Sequence, residues 1–494
     1  MAEPSKLHRY LDWALNGAML LLALSAPLSI AATQIAWSLA LLFWLLRLVF
    51  VRPTFSRDGI PIAILAFVGL TLVSSFFSYE PRVSFGKMAG VSLVTIVYLA
   101  FVVAKNVSML KALVMLFLVS AVVTTLYTLG SFAIGKNLKV DGLSANSPLR
   151  AVGVMENDTI QTVNGRSVNS PDELAAAVSS ASANGIAKIH VYRYELFFDY
   201  ELPVSSVLDV NDNAGRFGIT SWSRGRDVRV SGFYGQYATY AEALQLIASL
   251  TLGLLIFAPG GPFVRNRVLM LVALVLFCAC LFLTVTRASW AGFAVSAAVV
   301  VLSAASRKTI LICVLCAIPA AAAGLYYLQQ KRNVGLVDTG DGSTAWRLMV
   351  WREGFNVLIS NPRHLAVGIG MDSLKTHWQD WKMFDNGWQP LGHMHSTPLQ
   401  LAFERGVPTL IVWIVWMFLY LRMLWRGIKR NDLSWFERGV LLGCLGGTAG
   451  FLSGGLVHYN WGDSEVAMIF YFLMGLSLAI MYRQRPEPAA AAIP

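Results

Sequence analysis

The sequence predicts an all-α polytopic membrane protein of about 12 transmembrane helices with one small α+β domain inserted in it. Three observations carry that prediction. Hydrophobic residues make up 56% of the 494 and charged residues only 14%. Soluble domains usually carry about 25% charged residues. So few charges cannot cover a water-facing surface of this size, but they suffice for one that faces lipid. The apolar residues also fall into discrete runs, each near the length that crosses a ~30 Å hydrocarbon core. Finally, basic residues collect at the ends of every second run.

The runs lie near residues 13–30, 34–51, 60–77, 89–104, 110–134, 234–257, 267–285, 288–304, 309–328, 398–421, 438–457 and 464–482. Lys6 and Arg9 precede the first run, and Arg483 and Arg485 follow the last. The even-numbered connections carry Arg47, Arg52 and Arg57; Lys105 and Lys111; Arg265 and Arg267; Arg307 and Lys308; and Arg422, Arg426, Lys429 and Arg430. Short basic connections stay in the cytoplasm. One topology therefore satisfies all the runs: a multi-pass protein of a bacterial inner membrane with both termini cytoplasmic. Two exported connections are long, 135–233 and 329–397, and long loops tend to carry function.

The net charge of +11 would suggest nucleic acid if it formed one block. It is spread over short clusters at run ends, which fits membrane orientation and lipid head groups and argues against a nucleic-acid partner. The cysteines Cys278, Cys280, Cys313, Cys316 and Cys444 all sit inside apolar runs. Cys313 and Cys316 have CxxC spacing, but no second pair lies in an aqueous segment, so they read as small buried hydrophobes. The first apolar run is followed at once by another, which is unlike a cleavable signal peptide. The tail from Arg485 reads as disordered.

Residues 141–204 of the first long loop have the pattern of a compact domain. Ser147 to Val154 leads into Asn157-Asp158-Thr159-Ile160 and Val163-Asn164-Gly165-Arg166-Ser167-Val168. Asn-Gly between apolar strands signals a hairpin turn. Ser170 before Pro171 suits a helix N-cap with proline in the first turn, and Lys188 to Arg193 alternates as a strand does. This order resembles a bacterial PDZ domain, over about one-eighth of the chain. The resemblance implies an extended peptide or protein partner at a sheet edge; a spacer or assembly module fits the residues equally. The arginine-rich stretch 205–233 follows. The organisation read from sequence is thus 1–136, the first five transmembrane helices; 137–208, the PDZ-like periplasmic domain; 209–328, a periplasmic linker and helices six to nine; 329–397, a periplasmic catalytic loop; and 398–494, helices ten to twelve with a cytoplasmic tail.

Three features share the outer membrane face. Arg229 lies just before the sixth run, Arg287 in the tight turn between runs seven and eight, and His395 just before run ten. Arginine at a membrane edge often merely snorkels, but basic residues are disfavoured on the exported side and the Arg287 turn is too short to hold it off the bilayer. A guanidinium keeps its charge near lipid and presents a planar fork of donors suited to a diphosphate. An imidazole suits a general base near neutral pH. His393 raises a metal pair, but no carboxylate or cysteine set with ligand spacing stands nearby, so no metal or other cofactor is expected.

Glu242, inside the sixth run, is a functional candidate by its depth, and an arginine partner is the alternative. Arg347 and Trp351 share a face if their segment is helical, to contact sugar or to pack. Asp463 and Asn460 fall in the last exported turn, where Asp463 suits a helix cap. Trp378, Trp381, Phe384 and Trp388 crowd the second long loop, as an interfacial belt or as stacking surfaces for sugar rings.

His395-Ser396, nine residues, Gly406, two residues and Thr409 resemble the loop motif of the O-antigen ligases: His, then Asn, Ser or Gln, nine residues, Gly, two residues, then Gly, Thr or Tyr. Arg229 to Leu244, Thr286 to Trp290, and Trp346-Arg347 to Trp351 leading to Gly368-Ile369-Gly370 are similar to the same superfamily, which also holds O-antigen polymerases and protein O-oligosaccharyltransferases. The resemblance covers about residues 225–480. It implies a metal-independent, inverting glycosyltransferase that takes its glycan from undecaprenyl diphosphate. His395, Arg287 and Arg229 are then the catalytic candidates, the arginines on the diphosphate and His395 on the acceptor hydroxyl. Arg347, Trp351, Ser396, His393 and Glu242 are the candidate substrate-binding residues. The acceptor implied is lipid A-core or another hydroxyl. The PDZ-like insert, and Gly235-Gln236-Tyr237 where asparagine is common, depart from the ligase pattern and leave polymerase and protein-glycosylating readings open. A transporter would instead show polar midplane residues in several runs or an inverted repeat; Glu242 is the one candidate, and no repeat is visible. A scaffold built around the insert leaves the outer-face arginines unexplained.

Overall fold

The computed structural model describes residues 6–50, 59–180, 185–193, 196–226, 229–260, 265–304, 306–332 and 342–483. Arg52, Arg57 and the tail from Arg485, all used in the sequence reading, lie outside them, as do the side chains of Cys313 and Cys316. The chain divides into two compact units, one of residues 1–124 with 233–494 and one of residues 125–232.

The first unit is helical. Nine helices among the described residues are long and apolar enough to cross a membrane, which makes the chain a multi-pass membrane protein. The other three expected spans are helices as well: Lys6–Ser25, Arg307–Arg332, many of whose side chains lie outside the described residues, and Trp435–Gly455, which is less apolar. In Trp435–Gly455 the cause is a row of glycines. They let this helix press against Tyr237–Phe257, which is buried continuously from Ala238 to Leu254. A Cβ added to Gly253 would stand 2.2 Å from the backbone nitrogen of Gly443 and 2.5 Å from the carbonyl oxygen of Gly439. Small residues permit such backbone contact between membrane helices. Gly253→Val is therefore expected to cost about 3 kcal/mol, read as an earlier melt of the detergent-solubilised protein. A melt coincident with wild type would mean the two helices have room to part.

Two expected spans differ in the structure. The run 89–104 becomes Pro81–Ser92 followed by Thr95–Val103, a combined stretch that starts earlier, at a proline in its first turn. The run 398–421 is two helices, Thr397–Arg405 and Val407–Gly427. They are divided at Gly406, whose φ of +83° is open to glycine, and a Cβ there would meet the Ala366 carbonyl oxygen at 2.5 Å. The break makes Thr397–Arg405 a short helix lying before the membrane-length one.

The second unit holds the small α+β insert: an antiparallel sheet with a helix. Its strands run in the spatial order Leu196–Pro203, Ile186–Arg193, Thr159–Val163, Leu138–Leu143, Ile219–Arg224. Asn164 and Gly165, with φ of +49° and +78°, turn Thr159–Val163 into Arg166–Ser167 as the dipeptide predicts. Ser170 caps Pro171–Ser179 by accepting the Glu173 N–H. That helix buries Leu174 and Val178 against Ile160, Val163, Ile189 and Leu202. Asp158, fully buried, is held by Arg193 at 2.6 Å. The sheet extends past the 208 boundary read from sequence: Ile219–Arg224, in the stretch read as a linker, pairs with Leu138–Leu143.

Candidate functional site

The segment from Gly392 to Ser396 enters the helix Thr397–Arg405, and both sides of its middle residue are pinned. The Met394 N–H donates to Gln400 Oε1 at 2.7 Å, and the Met394 carbonyl accepts the Trp351 indole N–H at 2.6 Å. His395 follows with φ of +44°, a left-handed conformation costly for a residue with a side chain. Its N–H donates to His393 Nδ1 at 3.1 Å, which leaves the neutral His393 ring its proton on Nε2. A second segment is stitched alongside. The Thr397 N–H donates to the His458 carbonyl at 3.1 Å, and the Thr397 hydroxyl lies 2.9 Å from Asn460 Oδ1. Asn460 in turn donates to the Phe451 carbonyl at 2.7 Å.

This stitching gathers three imidazoles. The His393 and His395 ring centroids are 4.1 Å apart, and those of His395 and His458 are 5.5 Å apart. Trp346 meets His395 edge-on at 5.0 Å. Burial disfavours the charged forms of His393 and His395, and the neighbouring imidazoles and Arg347 add to it, so their pKa values fall to about 4 and about 3. His458 goes the other way. Burial opposes its charge, yet the Glu242 carboxylate outweighs burial and raises its pKa. Two imidazoles whose charged form is disfavoured thus stand beside one whose charged form is favoured, and His395 Nδ1 is buried with no hydrogen-bond partner.

Glu242 lies on the buried helix Tyr237–Phe257, 6% exposed, with Oε1 2.6 Å from His458 Nδ1. The contact is an ion pair by distance, without the alignment of a hydrogen bond. The arginine partner raised for Glu242 is therefore replaced by His458. Asp463 stands at the cap position of Ser464–Tyr482 but makes no cap hydrogen bond; its Oδ2 accepts from the Thr239 hydroxyl at 2.9 Å. Burial, with the nearby Glu242 charge, pushes Asp463 up to about 6. Ligand atoms of Glu242, His458 and Asp463 lie within 4.8 Å of one another, a set with the donors a divalent cation takes, although an internal ion pair already joins two of them.

Arg347 and Trp351 lie on the helix Gly342–Ile359. The Arg347 charge bears on all three imidazoles, whereas the Trp351 indole N–H is spent on the Met394 carbonyl. Ser396 is buried at the cap position of Thr397–Arg405 and its hydroxyl makes no cap hydrogen bond. Arg287 opens the helix Arg287–Ala304, partly buried. The carbonyl of the next residue, Ala288, lies 3.8 Å from where a Cβ of Gly454 would stand, and Gly455 abuts Asn460 and Thr397. Arg287 thus opens its helix at the end of the bundle that carries the imidazoles. Arg229 is buried near the end of the second unit. Of the four aromatic residues in the long loop, Phe384 is buried, Trp378 and Trp381 pack against the same apolar cluster, and Trp388 is exposed.

Sequence reasoning passed over His458, and named Trp346 only within a stretch similar to the superfamily. A signal for His458 existed: it lies in the last exported turn, at the predicted depth of His393 and His395, and the chain has only seven histidines.

The fold and the site define a class, a multi-pass membrane protein with an inserted β-sheet unit and an imidazole- and arginine-lined site at one end of its helices. Within it, residues 272–414 match the O-antigen ligase family model. The match covers less than a third of the chain and includes Arg287, Arg347, His393, His395 and Ser396. It supports the O-antigen ligase superfamily and, in general terms, a ligase- or polymerase-type enzyme with a lipid-linked glycan donor and an acceptor. No curated protein matches the chain.

Proposed function

We propose that this protein is an O-antigen ligase-like glycosyltransferase. It moves a glycan from undecaprenyl diphosphate to an acceptor hydroxyl, lipid A-core in the first instance, at the periplasmic face of the inner membrane. The observation that carries the reading is the neutral imidazole of His395, with an unpartnered buried Nδ1, inside the segment that matches the ligase family.

The chemistry follows from that group. His395 takes the proton of the acceptor hydroxyl as its oxygen attacks the anomeric carbon. The bond from that carbon to the diphosphate oxygen breaks, and the diphosphate leaves with the electron pair. A single displacement inverts the carbon. A base with a pKa of about 3 is weak near neutral pH, but its depression comes partly from Arg347 and the other imidazoles. An arriving diphosphate supplies the opposite charge and raises the basicity of His395 as the donor binds. The family resemblance assigns that diphosphate to Arg287 and Arg229, as fixed charge facing the leaving group.

The test is transfer in vitro by the full chain, with an undecaprenyl-diphosphate glycan as donor and three acceptors in parallel: lipid A-core, a second lipid-linked repeat and a pilin-like protein. Product on lipid A-core alone supports the ligase, and product on either other acceptor replaces it with the polymerase or the protein-glycosylating reading. His395→Ala is expected to lower transfer about 10²-fold. Wild-type transfer by that variant would remove His395 from the base role.

A further inference from the structure

A cavity of about 310 Å³ opens beside His393, within the first unit. Three cations reach it from separate elements: Lys87 from the helix Pro81–Ser92, Lys375 from the long loop, and Arg405 from the end of Thr397–Arg405. Arg405 is 6% exposed, and its Nε and Nη1 are buried without a hydrogen-bond partner. Its guanidinium rests over the Phe67 ring, 5.4 Å from the centroid. A guanidinium does not shed its proton to escape burial, and leaving its donors unmade is expensive. Such a group is normally kept for an anion that arrives.

Three carboxylates line the cavity as well, and two of them are already committed. Lys87 and Lys375 both lean on a single carboxylate, Asp372, each at 3.0 Å. Glu404, beside Arg405, is raised by its burial, and its Oε1 is occupied by the Asp372 N–H at 3.0 Å. Asp463 also lines the cavity; pushed up to about 6, it is still largely ionised at neutral pH, and its Oδ2 accepts from the Thr239 hydroxyl. Two ammonium groups sharing one carboxylate, with a guanidinium fork lining the same cavity, match a multiply charged tetrahedral oxyanion better than a single carboxylate.

We infer that this cavity is a phosphate subsite in which Arg405, Lys87 and Lys375 hold a phosphoryl group of a substrate next to His393. The inference rests on the glycosyltransfer reading and deepens it, since none of these three residues was assigned a role there. The phosphoryl group has two sources, the donor's diphosphate or a phosphate on the acceptor.

The experiment is binding to the full-length chain in detergent, so that it stands apart from turnover. Inorganic pyrophosphate is titrated into wild type and into Lys87→Gln, Lys375→Gln and Arg405→Lys. Each substitution is expected to weaken binding at least about 10-fold. Lys87 and Lys375 have side chains 52% and 65% exposed, so their variants fold even if Arg405→Lys does not, and they decide the matter then. Pyrophosphate affinity equal to wild type in both lysine variants overturns the subsite. The source is read with undecaprenyl diphosphate in one arm, and phosphorylated against dephosphorylated lipid A-core in the other. Dependence on these residues in the first arm assigns the donor, and in the second the acceptor. Dependence in neither arm overturns the inference. Pyrophosphate binding that survives a failed transfer assay would sink the enzyme reading and leave the subsite standing.

Discussion

Glu242→Ala is expected to destabilise the protein by about 4 kcal/mol, because it removes the carboxylate that favours the charged form of the buried His458. Glu242 and His458 are both nearly removed from solvent, with 2.6 Å between their charged atoms. The pH dependence identifies the cause. His458 has a folded-state pKa above its ordinary value, so the pair's contribution is fully present below about pH 6.5 and is lost as pH rises through the folded value. The deficit of Glu242→Ala should therefore be larger at pH 6 than at pH 9. His393 and His395 act in the opposite sense. With folded-state values of about 4 and about 3, they cost stability as pH falls from about 6.5 toward 4, in wild type and variant alike. Thermal unfolding in detergent across this range gives both slopes. A deficit independent of pH would mean that Glu242 matters for its packing and not for its charge.

Much of the architecture was legible because a bilayer writes its demands along the chain. Apolar length and basic flanks mark helices one at a time, without knowledge of partners. In the insert, Asn164-Gly165 and Ser170-Pro171 marked a hairpin and a helix start through local conformational preference alone. The break at Gly406 was hidden by hydropathy, which sums across a glycine without registering the sign of its φ. The strand Ile219–Arg224 was hidden in a stretch that reads as polar, since an edge strand buries little: of its residues only Ile219 is buried. The site divided in the same way. His395, Arg287 and Glu242 were visible as polar groups at membrane depths that disfavour them. The partner of Glu242 was not, because the register between two helices far apart in sequence decides whether a histidine or an arginine meets it. Here that register depends on glycines in Trp435–Gly455 that bring its backbone against Tyr237–Phe257.

Arg287→Ala is expected to lower transfer about 10³-fold, with the loss in kcat. Preorganised charge facing a leaving group is worth that much when it acts where charge develops, and a diphosphate gains its charge as the bond to the sugar breaks. Arg287→Lys should recover only part of the rate, because an ammonium keeps the charge but not the two-pronged geometry. The same assay separates Arg287 from Arg405. A group that holds a phosphate equally in the ground state and the transition state changes KM and leaves kcat alone, whereas one that meets only the developing charge changes kcat. Steady-state transfer at varied donor concentration should then show Arg287→Ala falling in kcat and Lys375→Gln rising in KM. If Arg287→Ala instead raised KM with kcat untouched, the leaving-group role would pass away from Arg287. The cation-lined cavity beside His393 would then be the better place to look for the diphosphate, since its guanidinium has buried donors without partners.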